Sequence, residues 1–266
     1  MPMRGYVSEF TDRLQQQSRY GFAVSELIAV APVARPALNA ALRRLSARGR
    51  LKRLTPRGDF FVIVPLEHRS MGAPPAAWFL DDYMRHLGCD YYVALQSAAA
   101  WHGATHFAVM ETQVMTSVQL RPIEIGRERI RFFTKANAGT TPTETRVVEG
   151  MTVRVSTPEA TLLDLVRYTR GSGGLGRTAT MLGDLAPKCR RPRLLAALEA
   201  ADDAPSAQRL GYLFDVFGHT GLARAVARWL DRHRHAVCPL APGAPVEGAL
   251  RTPWNVIENV TVEAAT

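Results

Sequence analysis

The segment RPALNAALRRLSARGRLKRLTPR, residues 35–57, carries Arg35, Arg43, Arg44, Arg48, Arg50, Lys52, Arg53 and Arg57 without a single Asp or Glu. These cations make up nearly all of the formal net charge of +9 on the 266-residue chain. Leu38, Leu42 and Leu45 recur at i, i+4 and i+7, one face of a helix, while Arg35, Asn39 and Arg43 recur along another. The spacing therefore predicts an amphipathic helix with a cationic outer face. Lys and Arg that neutralise phosphates release condensed counterions, and Asn and Arg also hydrogen-bond base edges, so a double-stranded nucleic acid is the partner such a face suits.

The flanking sequence predicts how that helix is carried. Residues 6–17 read as a first helix, and Ser25 is placed to cap a short second one that Pro32 stops. The third begins near Ala34, with Pro36 in its first turn, and ends at Gly49. Leu51 to Leu54, a Thr55-Pro56-Arg57-Gly58-Asp59 turn and Phe60 to Val64 then read as strand, turn and strand. This order is that of a winged helix-turn-helix over residues 1–65. Its third helix would enter a major groove through Arg35, Asn39, Arg43 and Arg44, and its hairpin would follow the backbone through Lys52, Arg53 and Arg57. A winged helix reduced to protein docking would instead expose apolar anchors on this face.

Pro65, Gly72, Pro74 and Pro75 mark residues 66–77 as a linker with the composition of a hinge, and residues 78–266 as a second domain. That domain reads as mixed α/β with a helical C-terminal half, so the fold class is α+β. Helices are expected over 78–88 and from Leu95 to His102. Strands follow at Gln113–Val118, at Pro122–Ile125 and Arg129–Thr134 around Gly126, and at Thr143–Val148 and Met151–Val155 around Glu149-Gly150. Thr157-Pro158 opens another helix, and Thr178–Arg234 reads as about four more. Trp254, Val256, Ile257 and Val260 suggest a final edge strand.

Composition excludes several classes. The isolated Cys89, Cys189 and Cys238 form no Cys-x-x-Cys pair and fit free thiols in a cytoplasmic protein. No stretch has the length or apolarity of a signal peptide or a membrane span. A pI near 10 favours an acidic partner. Gly171-Ser172-Gly173-Gly174-Leu175-Gly176 matches a dinucleotide pattern formally, but it follows a helix rather than a strand and reads as an interhelical loop. His102 and His106 have the spacing of a zinc pair but lack the intervening Glu, and His86 with Cys89 lacks further ligands. His219, His233 and His235 read as surface residues among arginines.

The adjacent pairs Asp81-Asp82 and Asp202-Asp203 cannot converge on one ion, and Glu159 and Asp164 are poorly spaced for sharing one. Glu159 reads as complementing a helix dipole, and Asp164 as a neighbour of Arg167 at i+3. No nucleophile carries an activating motif. The residues make no positive case for an enzyme, a metal or a cofactor. In the last helix, Leu222, Val226, Trp229 and Leu230 form an apolar stripe. Arg224, Arg228 and Arg232 form a cationic ridge beside it with only Asp231 nearby, suited either to solvent or to a partner that is an acidic protein or DNA.

The stretches Tyr91-Tyr92-Val93-Ala94-Leu95-Gln96-Ser97-Ala98-Ala99-Ala100-Trp101-His102-Gly103 and Val155-Ser156-Thr157-Pro158-Glu159-Ala160-Thr161-Leu162-Leu163-Asp164, following a winged helix and linker, resemble the AbiEi family of antitoxins. Pro239-Leu240 and Trp254-Asn255-Val256 also resemble that family's ending, so the likeness runs over nearly the whole chain. Relatives often have Arg where this chain has Ala160, so no role of that Arg carries over. The resemblance implies a type IV toxin-antitoxin pair of the abortive-infection class. The N-terminal domain would repress its own operon through inverted repeats in double-stranded DNA. The C-terminal domain would neutralise a co-encoded nucleotidyltransferase-like toxin, in a functional pairing that need not involve a stable complex. Two other readings remain at this level: a ligand-responsive winged-helix transcription factor without a toxin partner, and a DNA-targeted nuclease or transferase using carboxylates of the second domain.

Overall fold

In the computed structural model, which describes residues 5–30, 33–105 and 108–262, the chain starts with α1 (Tyr6–Gln16), β1 (Gly21–Ala23), α2 (Val24–Val30) and α3 (Arg35–Ala47). A hairpin follows, β2 (Leu51–Arg53) and β3 (Phe60–Ile63). Pro36 lies in the first turn of α3 behind the extended Ala34, where its missing amide hydrogen costs little. Ser25 does not cap α2. Helix α2 starts at Val24, and the Ala23 amide donates instead to the Glu26 carboxylate at 3.0 Å, a reach that Ser25 inside the helix cannot make. Pro32 lies outside the described residues.

Strand β3 lies between β1 and β2 in an antiparallel sheet, with Gly21 opposite Val62 and Leu51 opposite Ile63. Because side chains alternate across a strand, its two faces enter two different cores. Phe61 and Ile63 join Val7, Phe10, Leu14, Phe22, Leu27, Leu38, Leu42 and Leu45, the core that seats α1, α2 and α3. Phe60 and Val62 join Ala23, Leu54, Phe79, Leu80, Tyr83 and Met84 on the other side.

The second half opens with α4 (Leu80–Leu87), ended by Gly88 at φ 64°, then β4 (Tyr91–Val93) and α5 (Leu95–Trp101). The strands β5 (Thr112–Thr116), β6 (Ile123–Ile125), β7 (Glu128–Thr134), β8 (Thr143–Val148) and β9 (Met151–Ser156) follow. They form a mixed six-stranded sheet in the order β6-β7-β5-β4-β9-β8. Both expected hairpins are present, β6–β7 with Ile123 opposite Ile130 and β8–β9 with Val148 opposite Met151. The short central strand β4 was not anticipated, although it pairs with both β5 and β9. Three residues are too few to display an alternation.

Helices α6 (Pro158–Arg167), α7 (Leu175–Leu185), α8 (Arg191–Ala201), α9 (Ala204–Val216) and α10 (Thr220–Leu230) cover one face of this sheet. Their core includes Tyr92, Met115, Leu162, Leu182, Leu210, Phe214 and Trp229. The opposite face, with Tyr91, Val93, Val114, Ile130 and Val155, meets α4 and the N-terminal sheet. The tail forms β10 (Cys238–Pro239), β11 (Ala249–Arg251) and β12 (Val256–Glu258), with β12 in the middle rather than at the edge. It packs back through Trp254, whose ring lies where a Cβ at Gly211 would stand. Fully buried Gln208 holds it there, donating to the Ala236 and Trp254 carbonyls at 2.9 Å.

Residues 66–77 connect the halves without separating their cores. Ala73 and Ala76 are buried, the backbone at Gly72 passes against Gly126, and the Ala76 amide donates to Glu128 at 3.1 Å. The Phe60 ring lies 5.2 Å from that of Tyr83, and Arg19 bridges Glu26 at 3.0 Å and Asp82 at 3.3 Å. A fragment beginning at Ala76 would expose Phe79, Leu80 and Met84. Large buried side chains contribute about 1.5–3 kcal/mol each, so the loss is on the order of 5 kcal/mol. The fragment is expected to melt roughly 10 °C or more below the full chain. Calorimetry of both proteins checks this, and equal melting would show two independent cores.

Candidate functional sites

The N-terminal half presents a basic groove. Burial of Leu38, Ala41, Leu42 and Leu45 turns Asn39, Arg43 and Arg44 outward on α3. The β2–β3 hairpin stands beside that helix and leaves a groove of about 540 Å³ lined by Asn39, Arg43, Ser46, Lys52, Arg53 and Arg57. Five of the seven residues expected to contact nucleic acid thus meet around one concavity. Arg35 and Arg44 are exposed on α3 outside its lining.

Among the described residues, none of Arg35, Arg43, Arg44, Lys52, Arg53 and Arg57 has a carboxylate partner, whereas Arg50 is taken by Asp12 at 2.5 Å. The hairpin turn is closed by a bond from the Thr55 hydroxyl to Asp59, which lowers the Asp59 carboxyl pKa. Gly58 at φ 71° brings the turn close to the Arg53 side chain.

A second polar assembly lies inside the protein and is invisible to sequence spacing. Lys135, just past β7, donates to Asp164 on α6 at 2.8 Å and to the Tyr92 hydroxyl at 3.1 Å. That hydroxyl donates to the other Asp164 oxygen at 2.8 Å. All three are almost fully buried. Burial, reinforced by the Asp164 charge, raises the phenol pKa far above its ordinary value and keeps it a donor. Asp164 is therefore not the partner of Arg167, which reaches Asp203 at 3.1 Å, because α6 turns Asp164 toward the sheet. Glu159 is fully buried, and one oxygen accepts the Arg190 amide at 2.7 Å, tying the start of α6 to that of α8.

The remaining sequence candidates disperse. The His102 Nε2–H donates to the Ser156 carbonyl at 2.7 Å, while Nδ1 faces the Arg146 guanidinium at 3.4 Å. Burial lowers the His102 pKa, so the neutral ring fits this position. His106 lies outside the described residues. Asp81 accepts from Tyr91 at 2.9 Å, Asp82 turns to Arg19, and Asp203 accepts from the Ser206 hydroxyl at 2.7 Å at the start of α9. His233 is not a plain surface residue, since its ring stacks on Trp229 at 3.7 Å. Among the described residues no group of three His, Cys, Asp or Glu side chains could hold a metal ion. None of the helices described is long and apolar enough to cross a membrane.

On α10, Arg224 and Arg228 are exposed, as is Arg232 just beyond it. Arg228 and Arg232 border a shallow cleft of about 330 Å³ with Arg191, Leu195 and Ala225. Asp231 is not the only nearby acid, because the packing of α8 on α10 brings Glu199 within 3.5 Å of Arg232.

Breaking the buried Lys135–Asp164 pair leaves an uncompensated charge, which costs about 3–5 kcal/mol. Lys135→Met is therefore expected to lower stability in urea unfolding by that amount. The double variant Lys135→Met with Asp164→Leu is expected to recover much of the loss, because neither charge remains buried. A double variant no more stable than the single one would refute this account of the pair.

Residues 91–216 match the family model of the AbiEi antitoxin C-terminal domain. The solved structure of the RV2827C protein from Mycobacterium tuberculosis aligns over 95% of this chain and 90% of its own, with a TM-score of 0.63 and 18% identity, a likeness of fold alone. An antigenic nucleotidyltransferase-like protein from Paracoccidioides brasiliensis aligns over 56% of this chain and 88% of its own, with 11% identity and a TM-score of 0.35, too low to carry an argument. No curated protein matches the chain. The six-stranded sheet with Tyr92 at its centre, and the helices that close over it as far as α9, fall within the matched residues, so it is this region, residues 91–216, that carries the AbiEi antitoxin C-terminal domain.

Proposed function

We propose that this protein is a DNA-binding antitoxin that represses its own operon and neutralises a co-encoded nucleotidyltransferase-like toxin. The observation that carries the DNA-binding half is the groove in which Asn39, Arg43, Lys52, Arg53 and Arg57 face one space with no carboxylate partner among the described residues. In this reading residues 1–65 are a winged helix-turn-helix, with α2 and α3 as the helix pair and β2–β3 as the wing. Helix α3 enters the major groove of the operator, and Asn39 and Arg43 read base edges. Lys52, Arg53 and Arg57 lie along the phosphates and set affinity and register. Inverted repeats in the operator would receive two copies of the chain.

Replacing Asn39 or Arg43 by Ala is expected to reduce the preference for operator over random duplex, by about 1–3 kcal/mol if the contact is bidentate. Lys52→Ala or Arg57→Ala should weaken both duplexes alike and reduce the salt slope by roughly one phosphate contact each. Fluorescence anisotropy at several salt concentrations separates the two effects. Unchanged binding by a combined Arg35→Ala, Arg43→Ala and Arg57→Ala variant would refute the assignment.

The antitoxin half rests on the family match across residues 91–216. Co-expression with the adjacent gene, scored as recovery of growth, tests it directly. Arg224, Arg228 and Arg232 are its proposed contact with an acidic surface. Each is exposed, and Trp229 and Leu230, which hold α10 in the core, point away from them. Changing the three arginines to Glu is expected to leave melting within about 0.5 kcal/mol of the parent, since exposed ion pairs contribute little. Growth rescue should be lost. Full rescue by an equally abundant variant would remove the ridge from toxin neutralisation.

A further inference from the structure

We propose that a cleft between β7, the loop joining α6 to α7 and the Pro242-Gly243 turn binds a nucleoside phosphate. The cleft has a volume of about 400 Å³ and is lined by Arg131, Phe133, Arg167, Tyr168, Arg170 and the backbone around Gly171 and Gly243. That volume lies in the range of small-molecule sites. It is remote in the chain from the α3 groove and is built from different elements.

Three guanidinium groups border one space. The Arg131 guanidinium lies over the Phe133 ring at 5.1 Å, and that of Arg167 over the Tyr168 ring at 5.6 Å. The two rings meet edge to face, 6.2 Å apart, which arrays cation, ring, ring and cation around the cleft. Glu111 approaches Arg131 at 3.6 Å and Asp203 approaches Arg167 at 3.1 Å. Each pairing engages one guanidinium nitrogen and leaves other N–H donors of the fork available. Arg170 has no ion pair among the described residues. The side chains therefore offer surplus positive charge beside planar groups, which suits a ligand joining an anion to an aromatic base.

The frame of the cleft is fixed. Gln113 donates to the Gly171 carbonyl at 2.9 Å, and Gln96 to the Ser172 carbonyl at 2.5 Å; both glutamines are buried. The glycine-rich loop is thus tied to β5 and α5. A Cβ at Gly171 would stand 2.6 Å from the Phe133 ring, so only glycine admits that ring here. Across the cleft, Asn259 holds the rim by accepting from the Ala241 amide at 2.9 Å and donating to the Ala241 and Pro245 carbonyls at 3.0 Å. Gly243, at φ 93°, sets its turn close enough that a Cβ would meet the Arg170 guanidinium at 3.2 Å. In this assignment the base lies against the Arg131–Phe133 side, and the phosphate is met by Arg167 and Arg170.

Titration calorimetry of the full chain with AMP, ATP, adenosine, inorganic phosphate and a short single-stranded oligonucleotide tests the site. AMP and ATP are expected to bind, with adenosine and phosphate each weaker by about tenfold or more, because each supplies half of the recognised chemistry. Arg170→Ala and Arg131→Ala should each weaken AMP by about tenfold while melting with the parent, since both side chains are exposed. Arg43→Ala, in the separate α3 groove, should leave AMP binding unchanged. The proposal fails if neither nucleotide binds, if phosphate binds as tightly as AMP, or if only the oligonucleotide binds. It also fails if Arg43→Ala weakens AMP as much as Arg170→Ala does.

Discussion

Strand β3 is buried on both faces, and the rest of the molecule is arranged around that constraint. Phe61 and Ile63 hold the three-helix unit that aims α3 outward, and Phe60 and Val62 hold α4 and, through it, the six-stranded sheet. Four residues of alternating geometry therefore belong to two cores at once. The basic groove can be open to solvent because the strand behind it carries the packing. Its cations sit on the hairpin and on the outer side of α3, where they need neither partners nor burial.

Charge is handled in opposite ways inside and outside. The internal pair, Lys135 with Asp164, is paired, hydrogen-bonded and completed by Tyr92, because a buried charge without compensation is too costly to keep. It joins the end of β7 to α6 through the central strand, and so fixes the seat of the helical layer on the sheet. The external arginines of the α3 groove have no such pairing among the described residues. Surface cations in water carry little penalty when unpaired and retain their full capacity for an anionic partner. The C-terminal ridge lies between these extremes, with Arg232 engaged by Glu199 and Arg224 and Arg228 exposed.

The glycine-rich segment between α6 and α7 shows why a motif needs its context. Its glycines do not follow a strand, so the phosphate-binding geometry of a dinucleotide fold is absent. They admit the Phe133 ring at Gly171 and form the turn that precedes α7 at Gly174. The chemistry proposed for this region comes instead from arginines and aromatics contributed by β7 and α6. These are more than thirty residues apart in the chain and are brought together only by the sheet-on-helix packing.

Local pattern determined much of this protein. The apolar period of α3, its first-turn proline, the hairpin turns at Gly58, Gly126 and Gly150 and the helix starts at Pro158, Pro192 and Pro205 follow from backbone stereochemistry within a few residues. The exposure of Asn39 and Arg43 follows from the same periodicity, so the basic face is legible in the sequence itself. What the sequence could not contain was the choice of partner across the fold. Asp164 could have met Arg167 one turn away, but packing turned it to Lys135. Residues 66–77 have the composition of a hinge, yet they run between cores that touch. Strand β4 is too short to show a period, although it is the centre of the sheet. Periodicity reports which side of an element is buried, and only the tertiary structure decides against what, because burial energy depends on area and is indifferent to the identity of the neighbour.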